Sequence, residues 1–198
     1  DDLSGRIDYI IDGGCTQVGL ESTVLDMTVD PPAVLRPGGV SVEMLEDIIG
    51  RVNAEKAIEV NGNEVPKSPG MKYRHYSPKA EMMLVSGDSR RVVETINSLA
   101  EQNRAEKRKT GVLASSETRS EYNADVVLCP GSRNSPETVA ASIYRCLREF
   151  DELGVDIIFS ETFPEEGIGL AIMNRLRKAA SGRIIRVQAT SEMPGNES

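Results

Sequence analysis

The sequence predicts an α/β protein whose larger part is a doubly wound layer built on a mostly parallel sheet. Three observations carry that expectation. From residue 81 onward, apolar runs of strand length alternate with stretches whose apolar residues recur at helical spacing. Gly, Pro, Asn, Asp or Ser stands at the changeovers, where the chain must turn. A hydrophobic content of 39% over 198 residues is enough for a packed core.

Taken in order, three short apolar segments come first. They are "IDYII" at 7–11, "STVLDM" at 22–27 and "AVLR" at 33–36, set apart by Gly-Gly and Asp-Pro-Pro turn signals and followed by Pro-Gly-Gly. They are predicted to be strands of one sheet. Ser41 is placed to cap a helix running through Ile49, with Val42, Leu45, Ile48 and Ile49 on one face and Gly50 as its stop. Residues 51–80 hold "NGNE", three prolines and few apolar residues in series, so they read as a linker.

The alternating part opens with the strand "MMLVS" and a helix starting near Asp88, striped by Val92, Val93, Ile96, Leu99 and Ala100. "GVLAS" at 111–115 and "ADVVLC" at 124–129 are the next strands. In "NSPET", Ser135 is a cap candidate and Pro136 suits the first helical position, where the missing amide costs nothing. Val139, Ala140, Ile143, Tyr144, Leu147 and Phe150 carry that helix toward Gly154. The strand "VDIIFS", a helix over about 168–180 ended by Gly182, and the strand "RIIRV" complete the layer. The polar tail 190–198 is expected to be disordered.

Charge narrows the function classes. A net charge of -8 argues against broad affinity for nucleic acid or an anionic membrane. No apolar run approaches the roughly 20 residues that cross a bilayer. Cys15, Cys129 and Cys146 are odd in number and too widely spaced for a zinc knuckle, which suits reduced thiols in a cytoplasmic protein.

Against that acidic background one island is basic. Between Glu64 and Glu81 no acidic residue occurs, while Lys67, Lys72, Arg74 and Lys79 do, and "KSPGMKYRHYSP" adds two tyrosines and the sole histidine, His75. Pro69 and Pro78 bar a regular helix or central strand. Guanidinium and ammonium groups with aromatic faces suit a phosphate-bearing small molecule, although a solvated linker has a similar composition. Two further stretches are candidates. "GLESTV" places Glu21, Ser22 and Thr23 ahead of a strand, where hydroxyls bind an oxyanion or else their own turn. "LRPGG" sets Arg36 at a strand end before glycines that allow close backbone approach, whether by ligand or not.

The loop "CPGSRNS" at 129–135 follows a strand, the usual ligand position in open α/β sheets, yet it reads equally as a connector. "GIGLAI" at 167–172 lacks the third glycine and the leading strand of a dinucleotide fingerprint. "KRK" at 107–109 falls where cations complement a helix C-terminus. No metal-ligand spacing and no GxSxG turn occurs, so catalytic residues stay unassigned from spacing alone.

Taken together and in this order, "GRIDYIIDGG", "GLESTVLD", "LRPGGVS", "KSPGMKYRHYSP" and "GIGLAIMNRLRKAA" closely resemble the long, two-domain form of the threonylcarbamoyl-AMP synthases, the YrdC/Sua family. The resemblance implies that 1–50 is the C-terminal part of a YrdC-like catalytic domain, 51–80 a linker that covers its cleft, and 81–189 a Rossmann-like C-terminal domain. It implies an activity that joins L-threonine, bicarbonate and ATP into threonylcarbamoyl-adenylate and pyrophosphate, with Mg²⁺ accompanying ATP and no resident cofactor. The product is passed to enzymes that modify tRNA, and the acidic balance argues against direct tRNA binding here.

Residue by residue, the resemblance implies that Ser22 contacts threonine, that Arg36 and Tyr76 bind the nucleotide, and that Lys72, Tyr73, Arg74 and His75 line the lid. The family's lysine- and arginine-containing nucleotide site and its serine-asparagine motif do not occur in these 198 residues. The expectation is therefore a chain inactive by itself, with 1–50 short of sheet partners. The competing expectation is a nucleotide-binding regulatory module without activity of its own.

Overall fold

The computed structural model describes residues 3–14, 16–54 and 77–188. Its first elements are β1 (Val24–Asp26), β2 (Ala33–Arg36) and α1 (Val42–Ile49). β1 and β2 pair antiparallel, Val24 opposite Arg36 and Asp26 opposite Ala33, around a turn that contains a cis Asp30–Pro31 bond. Val34 and Val52 form a small core there, joined by Leu25, Val42 and Leu45. Ser41 caps α1 as predicted, its Oγ accepting from the Met44 amide at 3.3 Å, and the Gly50 amide closes the last turn on Glu46.

Two expectations for this part are corrected. Residues 7–11 form no strand, and Tyr9 and Ile11 are 90% and 96% exposed. Alternation specifies a strand only where a strand edge and an apolar layer receive it, and no described residue supplies either. The apolar face of α1 is likewise only half used, because Val42 and Leu45 reach the small core while Ile48 stays exposed.

The larger layer contains β3 (Glu81–Gly87), α2 (Ser89–Ala105), β4 (Thr110–Leu113), β5 (Val126–Leu128), α3 (Pro136–Glu152), β6 (Ile157–Glu161), α4 (Gly169–Ala179) and β7 (Ile184–Val187). Its five strands run parallel in the order β5-β4-β6-β3-β7, so the mostly parallel sheet is as expected. The strand period of two divides the side chains between two helical layers. Met82, Leu84, Leu113 and Ile158 face α3 and α4, whereas Val85, Val112, Ile157 and Phe159 face α2. Helices on both faces bury β4 and β6 throughout, the covering that a parallel sheet requires.

The helix expectations hold with two amendments. Asp88 caps α2 through its side chain, but the Ser135 side chain caps nothing. Thr138 instead ties the helix start to the preceding loop, donating to the Ser135 carbonyl at 2.6 Å and accepting from the Ser132 amide at 3.0 Å. The "KRK" cations do more than answer a helix dipole. Arg108 pairs with Glu81 at 3.1 Å and Lys109 Nζ donates to the Leu153 carbonyl at 2.6 Å, tying the end of α2 to β3 and to the end of α3. Among the described residues no helix is long and apolar enough to cross a membrane.

Candidate functional site

Antiparallel pairing brings the two short motifs together. Because Val24 lies opposite Arg36, the residues entering β1 stand beside those leaving β2. The Arg36 Nε donates to the Ser22 carbonyl at 3.0 Å and an Nη donates to Ser22 Oγ at 3.3 Å. Thr23 Oγ1 donates to the Val40 carbonyl at 2.6 Å. The approach is so close that a Cβ on Gly38 would lie 2.2 Å from the Glu21 carbonyl oxygen and 2.4 Å from the Thr23 amide nitrogen. The glycine after Pro37 thus admits the chain's own backbone, which is the use that "LRPGG" left open. Ser22 remains exposed and Arg36 half-buried, so both are reachable by a small molecule.

The neighbour of Ser22, Glu21, turns the other way and meets the larger layer. Tyr144 Oη of α3 donates to its Oε2 at 2.8 Å, and Arg175 Nε of α4 lies 3.0 Å from the same oxygen. Burial works to raise the Glu21 pKa, but Arg175, the backbone amide, Tyr144 and Arg36 together outweigh it and hold the carboxyl below its ordinary range. Lys178, one turn beyond Arg175 on the same helical face, joins this group. Burial, reinforced by the charges of Arg175 and Arg36 and opposed by Glu21, brings its ammonium down to about 8. Sequence reasoning singled out Ser22 and Arg36 but missed Tyr144, Arg175 and Lys178. The available signal was a cluster of three cations, Arg175, Arg177 and Lys178, in the second half of a helix whose first half is apolar, "GLAIMNRLRKA".

The loop 129–135 lies beyond the carboxyl ends of the strands, and its polar groups are spent on each other and on neighbours. Glu161, 1% exposed at the end of β6, accepts from Ser115 Oγ at 3.1 Å, from Tyr122 Oη at 3.0 Å, from Thr118 and from the Arg133 guanidinium. Glu117 accepts from Ser132 Oγ and from the Arg133 amide at 3.1 Å. Burial works to raise its pKa, but these bonds, its own amide and Ser116 together outweigh it and hold Glu117 down at about 2. This arrangement is a connector locked in place.

Lys72, Tyr73, Arg74, His75 and Tyr76 fall outside the described residues. Among the described residues no group of three or more His, Cys, Asp or Glu side chains is placed to hold a metal ion. Cys129 and Cys146 are free thiols, and burial pushes Cys146 up to about 11.

With this geometry in view, the comparisons with known proteins are specific. The family model described as threonylcarbamoyl-AMP synthase, C-terminal domain, matches residues 40–181, and a model described as telomere recombination matches residues 1–38. A Bacillus subtilis threonylcarbamoyl-AMP synthase is 48% identical over 93% of this chain and 52% of its own length. A Pyrococcus abyssi protein of the same name is 43% identical over 94% of this chain and 53% of its own. Among solved structures, Pyrococcus abyssi Sua5 complexed with L-threonine superposes with a TM-score of 0.85 at 43% identity, covering 93% of this chain and 53% of that one. A double-alanine variant of the same protein gives 0.87 at 41% identity, covering 96% of this chain and 53% of that one. The chain spans about half the length of the curated relatives it matches. Since the first model extends over most of the sequence, from the turn before α1 to the end of α4, this chain belongs to the threonylcarbamoyl-AMP synthase C-terminal domain family.

Proposed function

We propose that this chain serves a threonylcarbamoyl-AMP synthase, combining L-threonine, bicarbonate and ATP into threonylcarbamoyl-adenylate and pyrophosphate for tRNA modification in the cytoplasm. The observation that carries the reading is the Arg36–Ser22 contact, which unites two family motifs at one reachable corner. In this reading Ser22 holds threonine and Arg36 the nucleotide phosphates. The division is 1–50 as the end of the catalytic domain, 51–80 as a lid-bearing linker and 81–189 as the C-terminal domain.

The chemistry suits these residue types. The threonine amine and bicarbonate give a carbamate and water. A carbamate oxygen then bonds to the α-phosphorus as the bond to pyrophosphate breaks, so negative charge builds on phosphoryl oxygens. A fixed guanidinium stabilises that charge without reorganising. Mg²⁺ enters with ATP, held by its phosphate oxygens. Carbamates decompose in water, so a lid lined by Lys72, Tyr73, Arg74 and His75, with Tyr76 on the nucleotide, protects the intermediate by closing.

The test is pyrophosphate release from ATP by this chain joined to the portion of the Bacillus subtilis relative that it does not cover. Release that needs both threonine and bicarbonate supports the synthase reading. ATP binding with no release under any combination of co-substrates overturns it in favour of a nucleotide-binding regulatory module.

A further inference from the structure

Ser22 is presented by a weakly built piece of sheet. β1 has three residues, its register with β2 shifts between Val24 and Leu25, and Ser22 lies before it, so ladder hydrogen bonds do not fix the hydroxyl. Arg36 grips the Ser22 carbonyl and Oγ, but Arg36 belongs to the same two-stranded corner. The ties to a larger body lie on either side. Ahead of Ser22, Gly19 rests against the backbone of Ala140 and Ala141 in α3, and Glu21 reaches Tyr144 of α3 and Arg175 of α4. Beyond β2, Glu43 of α1 accepts from the Gly167 amide, just before α4, at 3.2 Å. The two helices hold Glu21 differently. Arg175 is buried and its Nε lies 3.0 Å from Oε2 without making a hydrogen bond, so it contributes charge rather than direction. Tyr144 contributes the direction, its Oη donating to Oε2 at 2.8 Å from a ring packed on the main core of the larger layer.

We propose that Tyr144 is a positioning residue for the reaction: through Glu21 it fixes Ser22 where threonine binds, so that the larger layer aims a substrate contact it does not itself make. The assignment rests on the synthase reading, in which Ser22 holds threonine. Charge alone leaves a carboxylate free to turn, whereas one directed, charge-assisted donor removes that freedom. The peptide of Glu21 is clamped on its other side, because its carbonyl and the backbone of Ser22 and Thr23 pack on Gly38. A shift of the Glu21 side chain therefore passes to the peptide it shares with Ser22 and is not absorbed by slack in the chain. Such a shift matters, since misplacing a substrate contact by about 1 Å costs on the order of 10²-fold in rate.

The experiment is pyrophosphate release by the joined protein at varied threonine and at varied ATP, for the parent, Tyr144→Phe, Glu21→Gln and the double variant, each first checked by circular dichroism. Tyr144→Phe deletes one oxygen and keeps the packed ring. The expected result is a KM for threonine raised about tenfold in Tyr144→Phe, as loss of a hydrogen bond to a charged group implies, with the KM for ATP changed less than about twofold. The double variant should be no worse than Glu21→Gln alone, because both substitutions break the same contact. An unchanged threonine KM in folded Tyr144→Phe, equal rises for both substrates, or additive effects in the double variant overturn the assignment. If Tyr144→Phe does not fold, Glu21→Gln alone carries the test through the same split between the two KM values. Threonine-dependent release that ignores both substitutions keeps the synthase and discards the positioning role. A parent that releases nothing discards the synthase and with it the role of Tyr144 in catalysis, and faster amide exchange over residues 18–24 in the Tyr144→Phe form of the 198-residue chain would then leave the contact as a structural tie.

Discussion

The hydroxyl of Tyr144 donates a 2.8 Å hydrogen bond to Glu21, linking the middle of α3 to the residue before Ser22. Arg175 approaches the same carboxylate oxygen at 3.0 Å, so one acidic side chain is held from two helices of the larger layer. Close packing supports the link, because a Cβ on Gly19 would lie 2.5 Å from the Cα of Ala141. Gly19 also has φ +69, a conformation that favours glycine. The corner that presents Ser22 and Arg36 is thereby seated on α3 and α4.

This seat is acid-sensitive. Glu21 has its folded-state pKa lowered, so its contribution is complete above the unfolded value of about 4.3 and is lost as pH falls through the folded one. Amide hydrogen exchange over residues 18–24 should accelerate below about pH 4.3 while the β3–β6 amides stay protected. Glu21→Gln should show the faster exchange already at neutral pH. Equal protection in both proteins would remove the electrostatic argument.

Arg36→Ala should leave the circular dichroism of the larger layer unchanged and lower pyrophosphate release by the joined protein about 10²- to 10³-fold, the range seen when a preorganised donor to developing charge is removed. A loss under threefold would place the arginine outside the chemistry.

Gly38→Ala is predicted to damage the same corner by crowding. The new methyl would collide with backbone at Glu21, Ser22 and Thr23, none of which can rotate away. The expected cost is about 1–3 kcal/mol of local stability. A threonine KM that rises with little change in the melting of the larger layer would show it.

Lys178 provides a basic-side prediction. Burial, with the charges of Arg175 and Arg36, holds its ammonium down to about 8, below the unfolded value of about 10.4, so the unfolded chain keeps a proton that the folded one sheds and stability in urea should rise as pH climbs between the two. Lys178→Met should flatten that rise. A profile that keeps the same midpoint in the variant would assign the titration elsewhere.

Glu161→Ala should cost about 3–5 kcal/mol in urea denaturation, the usual result of breaking a buried ion pair from one side. Four donors from two loops would lose their acceptor, with Arg133 left facing the vacated site. Glu161→Gln, which keeps the shape, should cost less.

The sequence conveyed the fold where local rules decide. β2 occupies the four residues of "AVLR", α1 begins at its cap, and α2 buries Val92, Val93, Ile96 and Ala100 of the predicted stripe. It misled at 7–11, where a strand-like pattern meets no partner among the described residues. At the site, the motifs marked Ser22 and Arg36, but nothing local announced that Gly38 would be filled by the backbone of Glu21–Thr23. Glu161 was invisible for a related reason. It ends an apolar strand, and its donors come from two other loops, Ser115, Thr118 and Tyr122 after β4 and Arg133 after β5, that only the sheet order brings to it.

That sheet order also governs how the domain emerges during synthesis. β3 is made first, yet its two neighbours are β6 and β7, the last strands of the layer to be made. A growing chain must hold Met82, Leu84 and Val85 without either flanking strand until residue 157 and then residue 184 have appeared. Until then only helices are available to shelter β3, α2 on one face and α3 on the other. Long-range parallel pairing of this kind makes folding slow and leaves an apolar strand with two open edges in the meantime. Shortening the chain by its final strand would leave β3 permanently open along one edge, a template for another molecule rather than a smaller version of this one.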